Sequence, residues 1–283
     1  MTGAVRLRGV ARNETYTHGH HESVLRSHSW RTIENSAAYL LPYLRSGLDV
    51  LDVGCGPGTI TIDFAQRVAA GTVVGVDSSS EVLEEARRAA GQLSNVRFES
   101  GDVYGLEYPD GSFDVVHAHQ LLQHLSDPVA ALREMRRVCK PGGVIAVRDA
   151  DYASFAWAPL DARLDEWLAL YRSVARANGG EPDAGRHLLG WAHAAGCENV
   201  RASASVWCFA TPEDRAWWAE SWADRMRHSS VADQAVALGF TTRERLDAIA
   251  DAFGAWRLHP DAWFAVLHGE VLAHEEQEAS HGV

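Results

Sequence analysis

Three glycines at alternate positions are the feature of this sequence that points most directly to chemistry. Gly54, Gly56 and Gly58 follow the short apolar run VLDV, and a second apolar run, TVVGV, ends at Asp77. Glycine lets the backbone approach a ligand closely and adopt positive φ angles, and a helix that begins after such a turn offers unpaired N–H donors. An acid at the end of the next strand can accept hydrogen bonds from both hydroxyls of a ribose. The segment 49–77 therefore predicts a site for a nucleoside cofactor.

The spacing of these glycines distinguishes two kinds of cofactor. A dinucleotide-binding turn reads G-x-G-x-x-G, with the pyrophosphate on the helix N-terminus. Here the third glycine comes one residue early, and Thr59 stands where the dinucleotide pattern requires glycine. Asp52, two residues before the first glycine, would repel a pyrophosphate and attract an ammonium group. The spacing therefore disfavours a nicotinamide dinucleotide and favours a cofactor that carries an ammonium group.

Alternating strands and helices are expected to position these residues. The order over 50–77 is strand, glycine turn, helix and strand, and the segment 78–81 has the composition of a capping box that begins another helix. Further strands are predicted at 95–99 and 113–118, and a helix is predicted to begin after Asp127 and to end at the turn KPGG. This alternation predicts an α/β fold with ligands at the carboxyl ends of its strands.

Four motifs and a turn occur in order over about residues 50–148: LDVGCGPG, VVGVD, SGDV, FDVVHAHQLLQHL and then KPGG. Together they resemble the class I S-adenosylmethionine (SAM)-dependent methyltransferases, in particular their ubiquinone/menaquinone-biosynthesis (UbiE)-like branch. The resemblance implies a doubly wound, seven-stranded and mostly parallel sheet, the Rossmann-like methyltransferase fold. It implies SAM as the cofactor and S-adenosylhomocysteine as its product.

The implied reaction is in-line transfer of the methyl group to a small molecule that is aromatic, quinone-like or another secondary metabolite. The same cofactor residues would serve a SAM-binding protein that transfers no methyl group, such as a cyclase, a decarboxylase or a regulator. That alternative stays open at the level of sequence. In the family pattern, Asp102 accepts from the adenine amino group, Val103 packs on the adenine ring, and the residues after the fourth strand face the methionine part of SAM. The predicted cofactor-binding set is Tyr16, Trp30, Arg31, Asp52, Gly54, Cys55, Gly56, Gly58, Asp77, Ser78, Asp102, Val103, His119 and Gln120.

The candidates for a general base are His20, His21 and His119, because a histidine with a pKa near neutrality can take a proton from a phenol, an alcohol or a carbon acid. Catalysis without a dedicated base is the alternative. No metal site is predicted, since no cysteine or carboxylate spacing accompanies the run HGHH. Substrate-binding residues are predicted at the end of the fifth strand, where open sheets bind their ligands. They are Arg148, Asp149 and Tyr152, unless their charges pair only with one another.

The composition and charge of the chain limit the kinds of partner that it is expected to bind. The 283 residues carry a formal charge of -12, which argues against general nucleic-acid binding. No apolar run approaches the length of a membrane span, and no secretory leader is predicted. The four cysteines show no paired spacing, which favours a reduced, cytoplasmic setting. We expect a monomer or a homodimer.

Three regions are predicted along the chain. Residues 1–48 would form an N-terminal helical cover, and residues 49–150 the SAM-binding core. Residues 151–283 would complete the sheet and carry an inserted C-terminal helical lid at about 212–258. This last region is rich in tryptophan, which predicts either an aromatic core or a pocket for a planar substrate.

Overall fold

A computed structural model describes Thr17 and residues 30–274 of the chain. Three predicted site residues, Tyr16, His20 and His21, lie outside the described residues. In the described part, eight strands form one sheet: β1 (Val50–Val53), β2 (Val73–Asp77), β3 (Val96–Ser100), β4 (Phe113–His119), β5 (Cys139–Ala150), β6 (Ala156–Ala158), β7 (Val200–Phe209) and β8 (Trp263–His274).

The order of the strands is that of a doubly wound sheet. It runs β3-β2-β1-β4-β5-β8, and β1 to β5 pair in parallel. Strand β8 runs antiparallel to β5, and it also pairs with β6 and β7. The predicted mostly parallel, doubly wound fold is confirmed. The sheet has eight strands where seven were expected, because the short β6 pairs with the beginning of β8.

Helices connect these strands and cover both faces of the sheet. They are α1 (Ile33–Ser36), α2 (Thr59–Val68), α3 (Ser80–Ala90), α4 (Pro128–Val138), α5 (Ala162–Ala177), α6 (Leu188–Ala194), α7 (Pro212–His228), α8 (Ser230–Ala237) and α9 (Arg243–Trp256), and a 3-10 segment over Ala38–Tyr43 follows α1. Within the described residues, no helix is both long enough and apolar enough to cross a membrane.

The helix caps agree with the sequence signals, with one shift. The side chains of Asp127 and Thr211 cap α4 and α7, the first as predicted, and each helix begins with proline. Helix α3 is capped by Ser79, which accepts from the Val82 N–H, so the predicted capping box over 78–81 is displaced by one residue. Between β7 and β8 lie three helices, α7 to α9.

The predicted turn KPGG lies within β5 as an excursion from its pairing. Phe113 of β4 pairs with Cys139, whereas Val115 pairs with Val144, so four residues of β5 lie opposite one residue of β4. Lys140 in this excursion donates to Asp114 and to Asp49. The excursion therefore joins β5 to the start of β1 and β4 at the amino ends of the strands, away from the glycine turn.

Three large hydrophobic cores hold these layers together, and a smaller cluster packs α3 on Phe98 of β3. One face of the sheet packs on α1, the 3-10 segment and α2, and the other packs on α4 and α6. The third core lies among α5, α7, α8 and α9 and contains Trp167, Trp218 and Trp222. Most of the tryptophans of the second half of the chain therefore fill a core, as the structural alternative predicted.

Candidate functional site

The glycine turn after β1 is held tightly to β2. The N–H groups of Gly54 and Cys55 donate to the carbonyl of Val76, over 2.7 and 3.0 Å. All three glycines have positive φ, and at Gly58, where α2 begins, φ is +80°. A Cβ atom there would lie 2.7 Å from the ring of Phe98. Both the backbone angle and the crowding therefore require glycine at this position.

Asp77, at the carboxyl end of β2, joins this turn to the next helix. One carboxylate oxygen accepts from the Gly56 N–H at 3.0 Å, and the other accepts from the Ser79 N–H at 3.0 Å. A carboxylate can accept about four hydrogen bonds, so each oxygen keeps capacity for a further donor. Asp77 is half-buried and Ser78 beside it is exposed. This arrangement fits a ribose, whose two hydroxyls are donors.

Asp52 lies within the protein behind the turn. Its carboxylate accepts from the Thr61 hydroxyl at 2.5 Å and from Nδ1 of His117 at 2.7 Å, and both carboxylate partners are buried. Each of its oxygens therefore already has a protein donor. The predicted attraction of the cofactor ammonium by Asp52 would act from this internal position, and it stays a prediction.

The two residues predicted to hold adenine follow β3, and they differ in their exposure to solvent. Asp102 is exposed, and its Oδ1 accepts from the Tyr104 N–H at 2.9 Å. Val103 is buried. Cys55 lies in the glycine turn, and burial raises the pKa of its thiol well above the ordinary value, so the sulfur stays a neutral thiol at pH 7.

A chain of hydrogen bonds runs from Arg31, just before α1, to β8. Arg31 donates to Oε1 of Gln120 at 2.5 Å, and Nε2 of Gln120 lies 2.8 Å from Nε2 of His268. Nδ1 of His268 lies 3.1 Å from the carbonyl of Val266, which can only accept. Nδ1 of His268 therefore donates, and its Nε2 accepts from the Gln120 amide. The backbone of Gln120 adopts a positive φ of +50° in this position.

His119 is the predicted general-base candidate that the structure describes. Its ring is buried against Trp207 and His268, at centroid distances of 5.7 and 6.1 Å. Neither ring nitrogen has a hydrogen-bond partner among the described residues. Burial, aided by the charges of Arg31 and Arg148, lowers the pKa of His119 well below its ordinary value. The imidazole is therefore neutral at pH 7 and can accept a hydrogen bond from a bound hydroxyl.

The three residues predicted to bind substrate together do not lie together. Because side chains alternate along a strand, Arg148 and Asp149 lie on opposite faces of the sheet. Asp149 accepts from the Gln123 N–H at 3.0 Å, and Tyr152 stacks between Tyr171 and Phe155 in the third core. Of the three, only Arg148 shares a face of the sheet with His119.

Arg148 belongs to a polar row that crosses four neighbouring strands. His119 pairs with Arg148, Arg148 with Glu270, and Glu270 with Ser203. Nε of Arg148 donates to the Ser205 hydroxyl at 3.0 Å and lies 3.3 Å from Oε1 of Glu270. Burial lowers the pKa of Arg148 to about 10, and Glu270 opposes this shift. Arg148 is therefore still a cation at pH 7.

A pocket of about 300 Å³ lies beside this row, between α1 and β7. Its lining includes Trp30, Ser205, Trp207 and Glu270. The Trp207 ring packs edge-on against Trp30, with centroids 5.1 Å apart, and the Arg148 guanidinium carbon lies 4.9 Å from the Trp207 centroid. The pocket thus combines an aromatic wall with the partners of a buried cation.

Sequence reasoning did not single out four residues of this region: Tyr39, Ser205, His268 and Glu270. The signal for two of them was present in β8. His268 and Glu270 are polar residues two positions apart in the otherwise apolar run FAVLHGEVLA, so both lie on one buried face of the strand.

Comparison with known proteins agrees with this geometry. Residues 44–217 match the methyltransferase domain family. An uncharacterized methyltransferase of Schizosaccharomyces pombe is 38% identical over 275 residues, which cover 93% of this chain and 97% of that protein. The ubiquinone/menaquinone biosynthesis C-methyltransferase UbiE of Bdellovibrio bacteriovorus is 39% identical over 104 residues, which cover 36% of this chain and 44% of that protein.

A solved structure shows the same fold. It is phosphoethanolamine N-methyltransferase 2 of Haemonchus contortus, in complex with phosphomonomethylethanolamine and S-adenosylhomocysteine. The TM-score is 0.56 at 17% identity, over 89% of this chain and 57% of that one. The predicted resemblance and the predicted cofactor are confirmed. This chain belongs to the methyltransferase domain family, and it is a SAM-dependent methyltransferase.

Proposed function

We propose that this enzyme methylates a small-molecule acceptor, aromatic or quinone-like, that binds beside His119 and Trp207. The observation that carries the proposal is the aromatic pocket of about 300 Å³ next to the polar row at the carboxyl ends of β4 and β5. Parallel sheets bind ligands at this edge, and a pocket of this size accommodates a single-ring compound.

Each group of residues has a separate task in this proposal. Bound SAM would supply an activated methyl group. The glycine turn would hold the cofactor backbone, Asp77 the ribose, and Asp102 with Val103 the adenine. Trp207 and Trp30 would orient a flat acceptor and exclude water, which brings its nucleophile into line at about 3 Å from the carbon it attacks. His119 would accept a hydrogen bond from the acceptor hydroxyl as its proton leaves.

Titration calorimetry of the purified protein with SAM, S-adenosylhomocysteine and NADH tests the cofactor side. Micromolar binding of the first two ligands, without binding of NADH, is expected. Mass spectrometry of a panel of phenols and quinols incubated with the enzyme and SAM then tests the acceptor side. A methylated product that the Trp207→Leu variant forms at least 10-fold more slowly is expected. SAM binding without methyl transfer to any member of the panel would contradict the proposal.

The N-terminal cover, the helical lid, the cytoplasmic setting and the oligomeric state stay predictions. The SAM-binding roles of Trp30 and Arg31 belong with them. Arg31 is a candidate for the SAM carboxylate because an arginine can bind a carboxylate through two parallel hydrogen bonds. Its contact with Gln120 would position it beside the residues that follow β4.

A further inference from the structure

We infer that the methyl acceptor carries a carboxylate group, which Arg148 and Tyr39 bind on the face of the sheet that contains His119. This inference rests on the proposed function, because it describes the acceptor of the same site. It is carried by buried polar atoms of three side chains, Arg148, Tyr39 and His119, that have no hydrogen-bond partner among the described residues.

The guanidinium of Arg148 is the strongest of these observations. The residue is 1% exposed, and only its Nε has partners, Ser205 and Glu270. Nη1 and Nη2 have none in the part of the chain that the structure describes. Each of these nitrogens carries two N–H donors in a planar fork that matches the two oxygens of a carboxylate. A buried cation with an unused fork is costly, and a bidentate anion removes that cost.

Tyr39 and His119 add to the same site. The Tyr39 hydroxyl, on the 3-10 segment after α1, is buried, and no described residue is its hydrogen-bond partner. Tyr39 packs against the core on this face of the sheet, which includes Ala146, two residues before Arg148 on the same strand. His119 pairs with Arg148 across β4 and β5. The unused groups are therefore mostly donors, and a ligand rich in acceptor oxygens complements them.

The described titratable groups around Arg148 leave its two outer nitrogens unpaired. Arg31 and Arg148 both act on His119 and on His268, and burial keeps both histidines neutral at pH 7. Glu270 is the carboxylate on this face that faces Arg148, and Ser203 and Ser205 donate to its two oxygens. Glu270 is therefore engaged on the Nε side of Arg148, and the two outer nitrogens of the guanidinium remain for the oxygens of a bound carboxylate.

The carboxylate that Arg148 binds could belong to SAM instead of the acceptor, so the experiment separates these two sources. The protein is saturated with S-adenosylhomocysteine and titrated with 4-hydroxybenzoate and salicylate, and with the corresponding uncharged amides. The variants are Arg148→Met, Tyr39→Phe and, as a matched control on the same 3-10 segment, Tyr43→Phe. Because Arg148→Met leaves Glu270 buried without its partner, a double variant that adds Glu270→Met provides a second test in a neutral site. SAM affinity is measured for every variant.

We expect at least one carboxylate to bind about 10-fold or more tightly than its amide, as a charge-assisted hydrogen-bonded pair would give. This preference should disappear in Arg148→Met and in the double variant. It should fall about 5-fold in Tyr39→Phe and stay unchanged in Tyr43→Phe. SAM affinity should be the same in all of them. A loss of SAM affinity in Arg148→Met and in the double variant would assign the arginine to the cofactor carboxylate and overturn the inference.

Equal affinity for acids and amides, or no binding of either, would also overturn the inference. Its failure is distinguishable from failure of the proposed function. Methyl transfer to uncharged phenols by the wild type, together with equal affinity for acids and amides, would refute the carboxylate and leave the function standing. Carboxylate binding that depends on Arg148, without methyl transfer to any acceptor, would refute the function and leave the anion site standing.

Discussion

The two halves of the sheet that meet at the site bind through different kinds of groups. On the cofactor half, β1 to β3, the turn is held by backbone N–H groups, and both oxygens of Asp77 accept from the backbone. On the acceptor half, from the end of β4 through β5, β8 and β7, the contacts are between side chains. There Arg148 and His119 keep polar atoms that no described residue pairs.

This difference matches two requirements: the cofactor is always the same, whereas the acceptor that fits depends on the side chains present. Backbone donors in a glycine turn stay in place whatever the neighbouring side chains are, so this half suits a cofactor that never changes. The polar row of Arg148, Glu270 and His119 depends on the identity of each side chain. A single substitution there would change which acceptor fits, because a buried polar group left unpaired is costly. Acceptor specificity is therefore expected to reside in β5, β7 and β8.

The largest effect is expected for Gly58→Ala, on the cofactor half. Alanine would adopt an unfavourable positive φ, at about 1–2 kcal/mol, and its Cβ would lie 2.7 Å from Phe98, at about 1–3 kcal/mol of overpacking. The free energy of unfolding in urea should fall by about 2–5 kcal/mol, and SAM affinity should fall with it.

Gly91→Ala is the matched control for this change. Gly91 also has a positive φ, +58°, but no heavy atom lies within 4 Å of the position of its Cβ. This variant should lose only the cost of the backbone angle and should bind SAM like the wild type. Equal losses in the two variants would show that crowding by Phe98 does not hold the turn.

The next largest effect is expected from Asp149. Burial raises the pKa of its carboxyl group to about 7. Between about pH 4 and 7, the folded protein therefore keeps a proton on this carboxyl group, whereas the unfolded chain has released it. The free energy of unfolding therefore falls as pH rises through this range, by at most about 4 kcal/mol. Asp149→Asn keeps the acceptor for the Gln123 N–H and cannot ionise, so its stability should fall less between pH 5 and 8.

Urea unfolding of both proteins at several pH values measures this difference. The exposed Asp110→Asn serves as the control, since its curve should run parallel to that of the wild type. Parallel curves for Asp149→Asn and the wild type would mean that the buried carboxyl does not carry the proton in the folded state.

A smaller effect is expected for Asp77→Asn, which probes the side-chain contribution on the cofactor half. Asparagine can still accept from the Gly56 N–H but cannot accept from Ser79 and from both ribose hydroxyls at once. SAM affinity should fall about 10- to 100-fold by calorimetry, as for hydrogen bonds to a charged group. Glu81→Gln, an exposed acid in the first turn of α3, should bind SAM unchanged. An unchanged SAM affinity in Asp77→Asn would show that Asp77 does not bind the ribose.

The smallest effect is expected for two serines on β7, which form an internal pair of tests. Ser205→Ala removes a hydroxyl that joins Arg148 to Glu270, and it should cost about 1–2 kcal/mol of unfolding free energy. Ser203→Ala removes a hydroxyl that contacts Glu270 alone, and it should cost less. Only Ser205→Ala should weaken carboxylate binding. If the two variants behave alike, the row does not position Arg148.

The cofactor half was predictable from sequence because its parts are local. Gly54 to Gly58 and Asp77 lie within one strand–turn–helix–strand unit, in which spacing along the chain determines spacing in the structure. Arg148, Asp149 and Tyr152 lie close in sequence, but the structure places their side chains apart, and their roles toward the substrate stay predictions. Strand alternation separates the first two, and the turn after β5 takes Tyr152 into another core.

The sequence alone determined the first five strands along the chain, because turn chemistry and hydrophobic periodicity act over short distances. It determined the family and the cofactor through the resemblance of its motifs. The tertiary structure decided which side chains come together at the proposed acceptor site. Glu270 lies 122 residues from Arg148 along the chain and reaches it only through the antiparallel pairing of β5 and β8. Ser205 and Trp207 join them through the pairing of β7 with β8. Such contacts depend on the register of strands distant in sequence, and no local pattern encodes that register.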